Sequence, residues 1–248
     1  MKLEFVPLLE LQRNLYGIPR GRERFNAYIS TMVDPETRDL KLPLVAMNPM
    51  GKDHVPALLD EYLALDADGL AARAVAEAEA RLTAVPGEFK VALVLSDDAM
   101  GGWTNRYSSE FGCRFENRPY RRRGWITGTL WTSETPSAQN SREEVLTAVY
   151  RTAYIQQHGP ARTLGEMMAQ EGYAMLQAGC TRPALDSEEM EYTREVIAPH
   201  LGTKDYPIQM SCLFGDPAAA ALGYTPPGLS ERAGFALALH DARLHHPR

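Results

Sequence analysis

Apolar positions recur every three to four residues along most of this chain and every second residue in two short stretches, and the change of period separates predicted helices from predicted strands. From about Val6 to Val33 the pattern gives two short amphipathic helices on either side of the breaker Gly17-Ile18-Pro19-Arg20-Gly21, with Phe25, Tyr28, Ile29 and Met32 at helical spacing. Between Asp34 and Met50 the prolines and the apolar run Leu44 to Met47 predict an extended or hairpin-like passage, closed by the turn Asn48-Pro49-Met50-Gly51. Helices follow from His54 to about Asp66 and from Gly69 to Thr83, the second stopped by Pro86-Gly87. The period then falls to two: Phe89 to Ser96 reads as a strand ending at Asp97-Asp98, and Trp125 to Thr132 as a second strand.

The carboxyl half returns to helical spacing. Ser141-x-x-Glu144 and Thr163-x-x-Glu166 have capping-box spacing, in which a hydroxyl and a carboxylate satisfy backbone amides at a helix start. Helices are predicted near Glu143 to Gln157, Leu164 to Ala178, Ser187 to Ile197 and Ser230 to about Leu244. Beyond the alanine run Ala218 to Ala221 there is no low-complexity segment, and no internal repeat. The expected class is α/β (α+β), a small mixed sheet packed with several helices.

Composition narrows the partners. With 44% apolar and 23% charged residues the 248-residue chain is expected to fold throughout. A formal net charge of -6 opposes binding of long nucleic acid or an anionic membrane surface by the molecule as a whole. Cys113, Cys180 and Cys212 contain no Cys-x-x-Cys pair, which argues against a disulfide framework and a zinc ribbon. Glu4 and Pro7 interrupt the start where a secretory signal needs an apolar core, and no stretch reaches membrane-spanning length, so a cytoplasmic location is expected.

The order from Phe89 onward is strand, glycine-rich loop, strand, helix, a helix carrying Glu171-Gly172-Tyr173-Ala174, and a terminal helix opened by Arg232-Ala233-Gly234-Phe235-Ala236-Leu237. That order resembles zincin-like metallopeptidases of the gluzincin type. In such enzymes His-Glu-x-x-His places two zinc ligands on one helix face and a glutamate of a later helix completes the set. Glu171-Gly172-Tyr173-Ala174 looks like that third-ligand segment, and the resemblance implies a zincin-like body over 88–248 with residues 1–87 as an N-terminal elaboration, the alternative being one continuous domain. The departure falls where the histidines belong: Tyr150-Arg151-Thr152-Ala153-Tyr154 offers neither imidazole nor a general-base carboxylate, and a phenol is a poor zinc ligand at neutral pH. No metal and no cofactor are expected on this alignment. What remains is a polar pocket in which Arg151 reaches Glu171 while Tyr150, Tyr154 and His158 share a helix face; the alternative is that the two tyrosines are packing residues, Arg151 is solvated and His158 finishes its helix before Gly159-Pro160.

The most distinctive composition lies between Trp103 and Trp125, where aromatic residues alternate with arginines. Arg118, Arg121, Arg122 and Arg123 are candidates for holding an anion, since guanidinium forks bind carboxylates and phosphates; the other reading is a long β-loop whose arginines pair with surplus acid. Asn48-Pro49-Met50-Gly51-Lys52-Asp53-His54 is not a phosphate loop, because it lacks the first glycine and has Asp53 where the magnesium-binding hydroxyl belongs; it reads as a turn into a helix capped by Asp53. No Gly-x-Ser-x-Gly elbow occurs and Cys212 reads as buried. The sequence therefore points to a non-catalytic zincin-like protein with a small polar pocket for binding or scaffolding, taking a small anionic ligand or a protein partner. Two alternatives stay open: a metal-independent enzyme acting on a small anionic substrate, and an active metallopeptidase whose ligands lie elsewhere in the chain.

Overall fold

The structure, a computed structural model, describes residues 1–100, 104–116 and 119–245. In chain order the elements are β1 (Lys2–Phe5), α1 (Leu9–Tyr16), α2 (Arg22–Met32), α3 (His54–Ala64), α4 (Ala67–Arg81), β2 (Glu88–Ser96), α5 (Arg106–Phe115), α6 (Pro119–Arg122), β3 (Trp125–Trp131), α7 (Ala138–His158), α8 (Leu164–Ala178), α9 (Ser187–Ile197), α10 (Tyr206–Phe214), α11 (Asp216–Leu222) and α12 (Ala233–His245). The α/β class and the helical carboxyl half are those expected from the sequence. Two compact units are formed, residues 1–109 with 117–149 and residues 110–116 with 150–248, so the division falls inside α5 and α7.

The first unit holds the sheet, of order β1-β2-β3. Both pairings are parallel, Leu3 opposite Phe89 and Val91 opposite Ile126, where a mixed sheet was expected. Central β2 is buried from Val91 to Ser96, as its unbroken β-branched and aliphatic run requires of a strand covered on both faces. Gly128 of β3 lets α7 approach closely: a Cβ there meets the Val145 backbone at 3.0 Å. Four-residue β1 reaches only the first buried residue of β2, Val91, and a side chain replaces it beyond. Gln12 of α1 donates from Nε2 to the Leu95 carbonyl at 3.1 Å and accepts from the Leu95 amide at 2.9 Å, closing the ladder with a primary amide. The outward amide of Leu3 is taken by Glu79 of α4 at 3.2 Å, which blocks an edge otherwise open to pairing.

The second unit is helical. Helices α8 and α12 pack at Gly172, where an added Cβ meets the Ala238 carbonyl oxygen at 2.4 Å, so only glycine permits the approach. The predicted Thr163 capping box is present in full, with Glu166 N–H donating to Thr163 Oγ1 at 3.3 Å and Glu166 accepting from the Thr163 amide at 2.9 Å. The other predicted box is not. Helix α7 begins at Ala138, five residues before the predicted Glu143, because Ser137 accepts from the Asn140 amide, and Ser141 lies inside the helix donating back to the Ser137 carbonyl at 3.0 Å. Asp53 precedes α3 but its side chain makes no capping bond. The predicted β-loop is also corrected: Arg106–Phe115 is helical, with Tyr107, Phe111 and Phe115 at i, i+4 and i+8.

Candidate functional site

At the carboxyl end of the parallel strands of the first unit, four chain segments converge on one carboxylate. Asp97 follows the last residue of β2 and is 2% exposed. Its Oδ2 accepts from Asn48 Nδ2 at 2.8 Å, and its Oδ1 faces His54 Nε2 at 2.8 Å and the Thr132 hydroxyl at 3.1 Å. Each donor is fixed by local structure. Asn48 opens the predicted Asn48-Pro49-Met50-Gly51 turn: its Oδ1 accepts from the Met50 amide, which aims Nδ2 outward, and its carbonyl accepts from Gly51 N–H and from the Tyr16 phenol. His54 is the first residue of α3, and Thr132 directly follows β3.

Thr132 Oγ1 binds the two strand ends together. It accepts from the amides of Asp98 and Ala99 at 3.1 and 3.2 Å, and its single proton lies 3.1 Å from both Asp97 Oδ1 and Asp98 Oδ1. Asp98 in turn accepts from the Ser133 amide at 2.9 Å and hydroxyl at 2.7 Å. The Tyr16 phenol, close enough to feel the Asp97 charge, has its pKa pushed up chiefly by burial.

Two buried polar atoms of this end of the sheet have no partner among the described residues, His54 Nδ1 and Ser96 Oγ. Buried polar groups are normally hydrogen-bonded, which sets these two atoms apart from their neighbours. Facing a carboxylate, Nε2 is the nitrogen that carries a proton, so in the neutral ring the acceptor lone pair lies on Nδ1. An imidazole oriented by a buried carboxylate is the arrangement a general base requires.

The residues singled out by the zincin resemblance lie in the second unit. Arg151 and Glu171 do meet: Arg151 Nε and Nη2 donate to Glu171 Oε1 and Oε2 at 2.6 and 2.9 Å. The carboxylate also receives Arg114 and, at 3.1 Å, Gln170 Nε2. Arg114 bonds Glu110, whose carboxylate is held by Arg232 from the other side at 2.6 and 2.9 Å. Burial acts to raise the Glu171 pKa, but Arg151 and Arg114 prevail and hold it down at about 2. Glu171 is thus an ionised carboxylate enclosed by guanidinium groups, and no phenol donates to it among the described residues. Tyr150 is buried, and Tyr154 stacks on His158 with ring centroids 4.2 Å apart and tilts against Tyr173 at 5.3 Å. Burial raises the pKa of both Tyr154 and Tyr173. His158 is exposed and ends α7 ahead of Gly159, whose φ of +81° closes the helix.

Four arginines were proposed to hold an anion, and their surroundings in the described residues differ. Arg123 forms an ion pair with Asp39, Arg122 is exposed on α6 with Arg121 beside it in sequence, and Arg118 lies outside the described residues, as does Trp103. Among the described residues no three His, Cys, Asp or Glu side chains gather as a metal-holding group. No described helix is long and apolar enough to cross a membrane.

The Asp97 site was not singled out in the sequence, where Asp97-Asp98 read as a turn and His54 as part of a rejected phosphate loop. One signal was available, since paired carboxylates directly after a buried strand sit where α/β sheets bind ligands.

Comparison with known proteins gives one partial likeness. The chain is 34% identical over 77 residues to the uncharacterized protein YjfC of Bacillus subtilis, a stretch that is 31% of this chain and 26% of that protein. No family model matches the chain, and no solved structure matches it.

Proposed function

We propose that the protein is an enzyme acting on a small polar substrate at the carboxyl end of its parallel sheet, with His54 as the group that takes up and returns a proton and Asp97 as its orienting carboxylate. The observation that carries this reading is the asymmetry of His54, whose Nε2 is fixed on buried Asp97 while Nδ1 is buried and unpartnered among the described residues. Asn48 and Thr132 hold the carboxylate in place, and the exposed Ser133 lies at the rim, bonded to Asp98. The Arg151–Glu171 cluster is read as structural, because a carboxylate closed by two guanidinium groups and an amide offers a ligand little that the protein has not already supplied. Tyr150, Arg151 and Tyr154 supply no general base, so no reaction step is assigned to the second unit. Three thiols, none in a disulfide among the described residues, suit the reducing environment of the cytoplasm.

The test is turnover of a library of cellular metabolites followed by mass spectrometry. General acid–base catalysis is worth on the order of 100-fold or more, so His54→Gln should reduce consumption of any substrate at least that far while leaving the far-ultraviolet dichroism unchanged. Consumption that is indifferent to His54→Gln contradicts the reading.

A further inference from the structure

The second unit carries a cavity of about 480 Å³ that no part of the Asp97 reading uses. Its volume is that of a small-molecule site. Helix α10 lines it with Pro207 and Ser211 and with Ile208 and Cys212, each pair four residues apart, so all four share one helix face. The remaining lining comes from His200 and from residues 223–227, which follow α11. That segment is pinned at both ends. The Tyr224 amide donates to the Ala219 carbonyl at 2.8 Å, and Asp216 Oδ1 accepts from the Gly228 and Leu229 amides at 2.9 Å.

No carboxylate, ammonium or guanidinium group borders the cavity among the described residues, so a charged ligand entering it loses water without gaining a counterion. Burial pushes the Cys212 thiol up to about 11, which keeps it protonated at neutral pH. Ser211 is 5% exposed, and its hydroxyl donates to the Pro207 carbonyl at 2.8 Å. That bond lays the oxygen along α10 between two lining residues and leaves it lone pairs to offer. Tyr224 is anchored by other rings: it stands edge-on to Tyr206 at 6.4 Å, Tyr206 meets Phe111 at 4.8 Å, and Phe111 meets Phe115 at 5.0 Å. An uncharged cavity with a fixed aromatic ring, three prolines and a hydroxyl acceptor suits a neutral ring bearing one donor.

We infer that this cavity binds a small neutral aromatic molecule, its ring lying against Tyr224 and the prolines and its N–H or O–H donating to Ser211 Oγ. This site is independent of that at Asp97 and stands whether or not His54 has a catalytic role.

Indole is the probe, titrated calorimetrically into the full chain at pH 8. Indole-3-carboxylate and tryptamine present the same ring with a negative and a positive charge, and 1-methylindole presents it without the donor. Indole should saturate with a Kd of about 1 mM or below, and each of the other three should bind about 5-fold more weakly or worse. Ser211→Ala should abolish the preference for indole over 1-methylindole. Tyr224→Ala should raise the indole Kd about 10-fold, whereas Tyr224→Phe, which keeps the ring, and Phe25→Ala, an exposed aromatic of the first unit, should change it less than about 2-fold. Thr225→Lys, at an exposed position of the lining, should tighten indole-3-carboxylate about 5-fold and leave indole within about 2-fold. Failure of indole to saturate below about 10 mM, 1-methylindole or either charged analogue binding as tightly as indole, or affinities indifferent to Tyr224→Ala or to Thr225→Lys overturns the inference.

Discussion

Gln12 and Leu95 are 83 residues apart in sequence and joined by two hydrogen bonds, a side-chain amide standing in for a strand beyond the end of β1. Both backbone groups of Leu95 are buried, so Gln12→Ala orphans a donor and an acceptor together. The expected cost is about 3 kcal/mol in urea unfolding, against about 1 kcal/mol for a surface glutamine. Gln12→Glu sets a buried carboxylate against the Leu95 carbonyl and should cost at least as much as the alanine at neutral pH.

Gly172→Ala drives a methyl group into the Ala238 carbonyl, and neither helix backbone can retreat without loosening its neighbours. The variant should lose about 2 kcal/mol or more. Gly202→Ala, where an added Cβ meets nothing within 4 Å, is the control and should stay within about 0.5 kcal/mol of wild type.

Glu171 titrates far below its ordinary value, so its contribution to stability is complete above pH 4.5 and declines as the pH falls towards about 2. Glu171→Gln removes that component and leaves buried Arg151 short of its counterion. At pH 7 the variant should be less stable by about 3–5 kcal/mol, and the gap should narrow as denaturant titrations are repeated from pH 5 downward.

Asp68 carries the opposite sign. Burial raises its pKa to about 6, although the Leu9 amide donates to its Oδ2 at 3.1 Å. The folded state therefore binds a proton that the unfolded chain has released, and stability from this group falls as the pH rises from about 4 through about 6. Asp68→Asn should look progressively better relative to wild type across that window, with the gain levelling off by pH 8.

The sequence made some of this structure legible and hid the rest for identifiable reasons. Strand β2 stood out because a run buried on both faces is apolar at every position, and α8 because Thr163 and Glu166 close a capping box. Helix α10 was missed on the same physics: Gln209 to Phe214 are all buried, so its apolar residues surround the axis and leave no stripe. Strand β1 has four residues and alternating charge, and its pairing with β2 is visible only once the register is known. Arg151 and Glu171, of opposite charge, lie on helices adjacent in sequence, whereas Asn48, His54, Asp97 and Thr132 meet only through the parallel crossover connections. Nothing in their local spacing announces a site.

The role proposed for His54 requires the neutral ring to keep its proton on Nε2, against Asp97, and its lone pair on Nδ1. Nitrogen-15 NMR of the histidine rings at pH 8 reads this directly. His54 is expected in the Nε2–H tautomer, and Asp97→Ala should erode the preference towards a mixture. A His54 ring carrying its proton on Nδ1, or one whose tautomer is untouched by removal of Asp97, contradicts it.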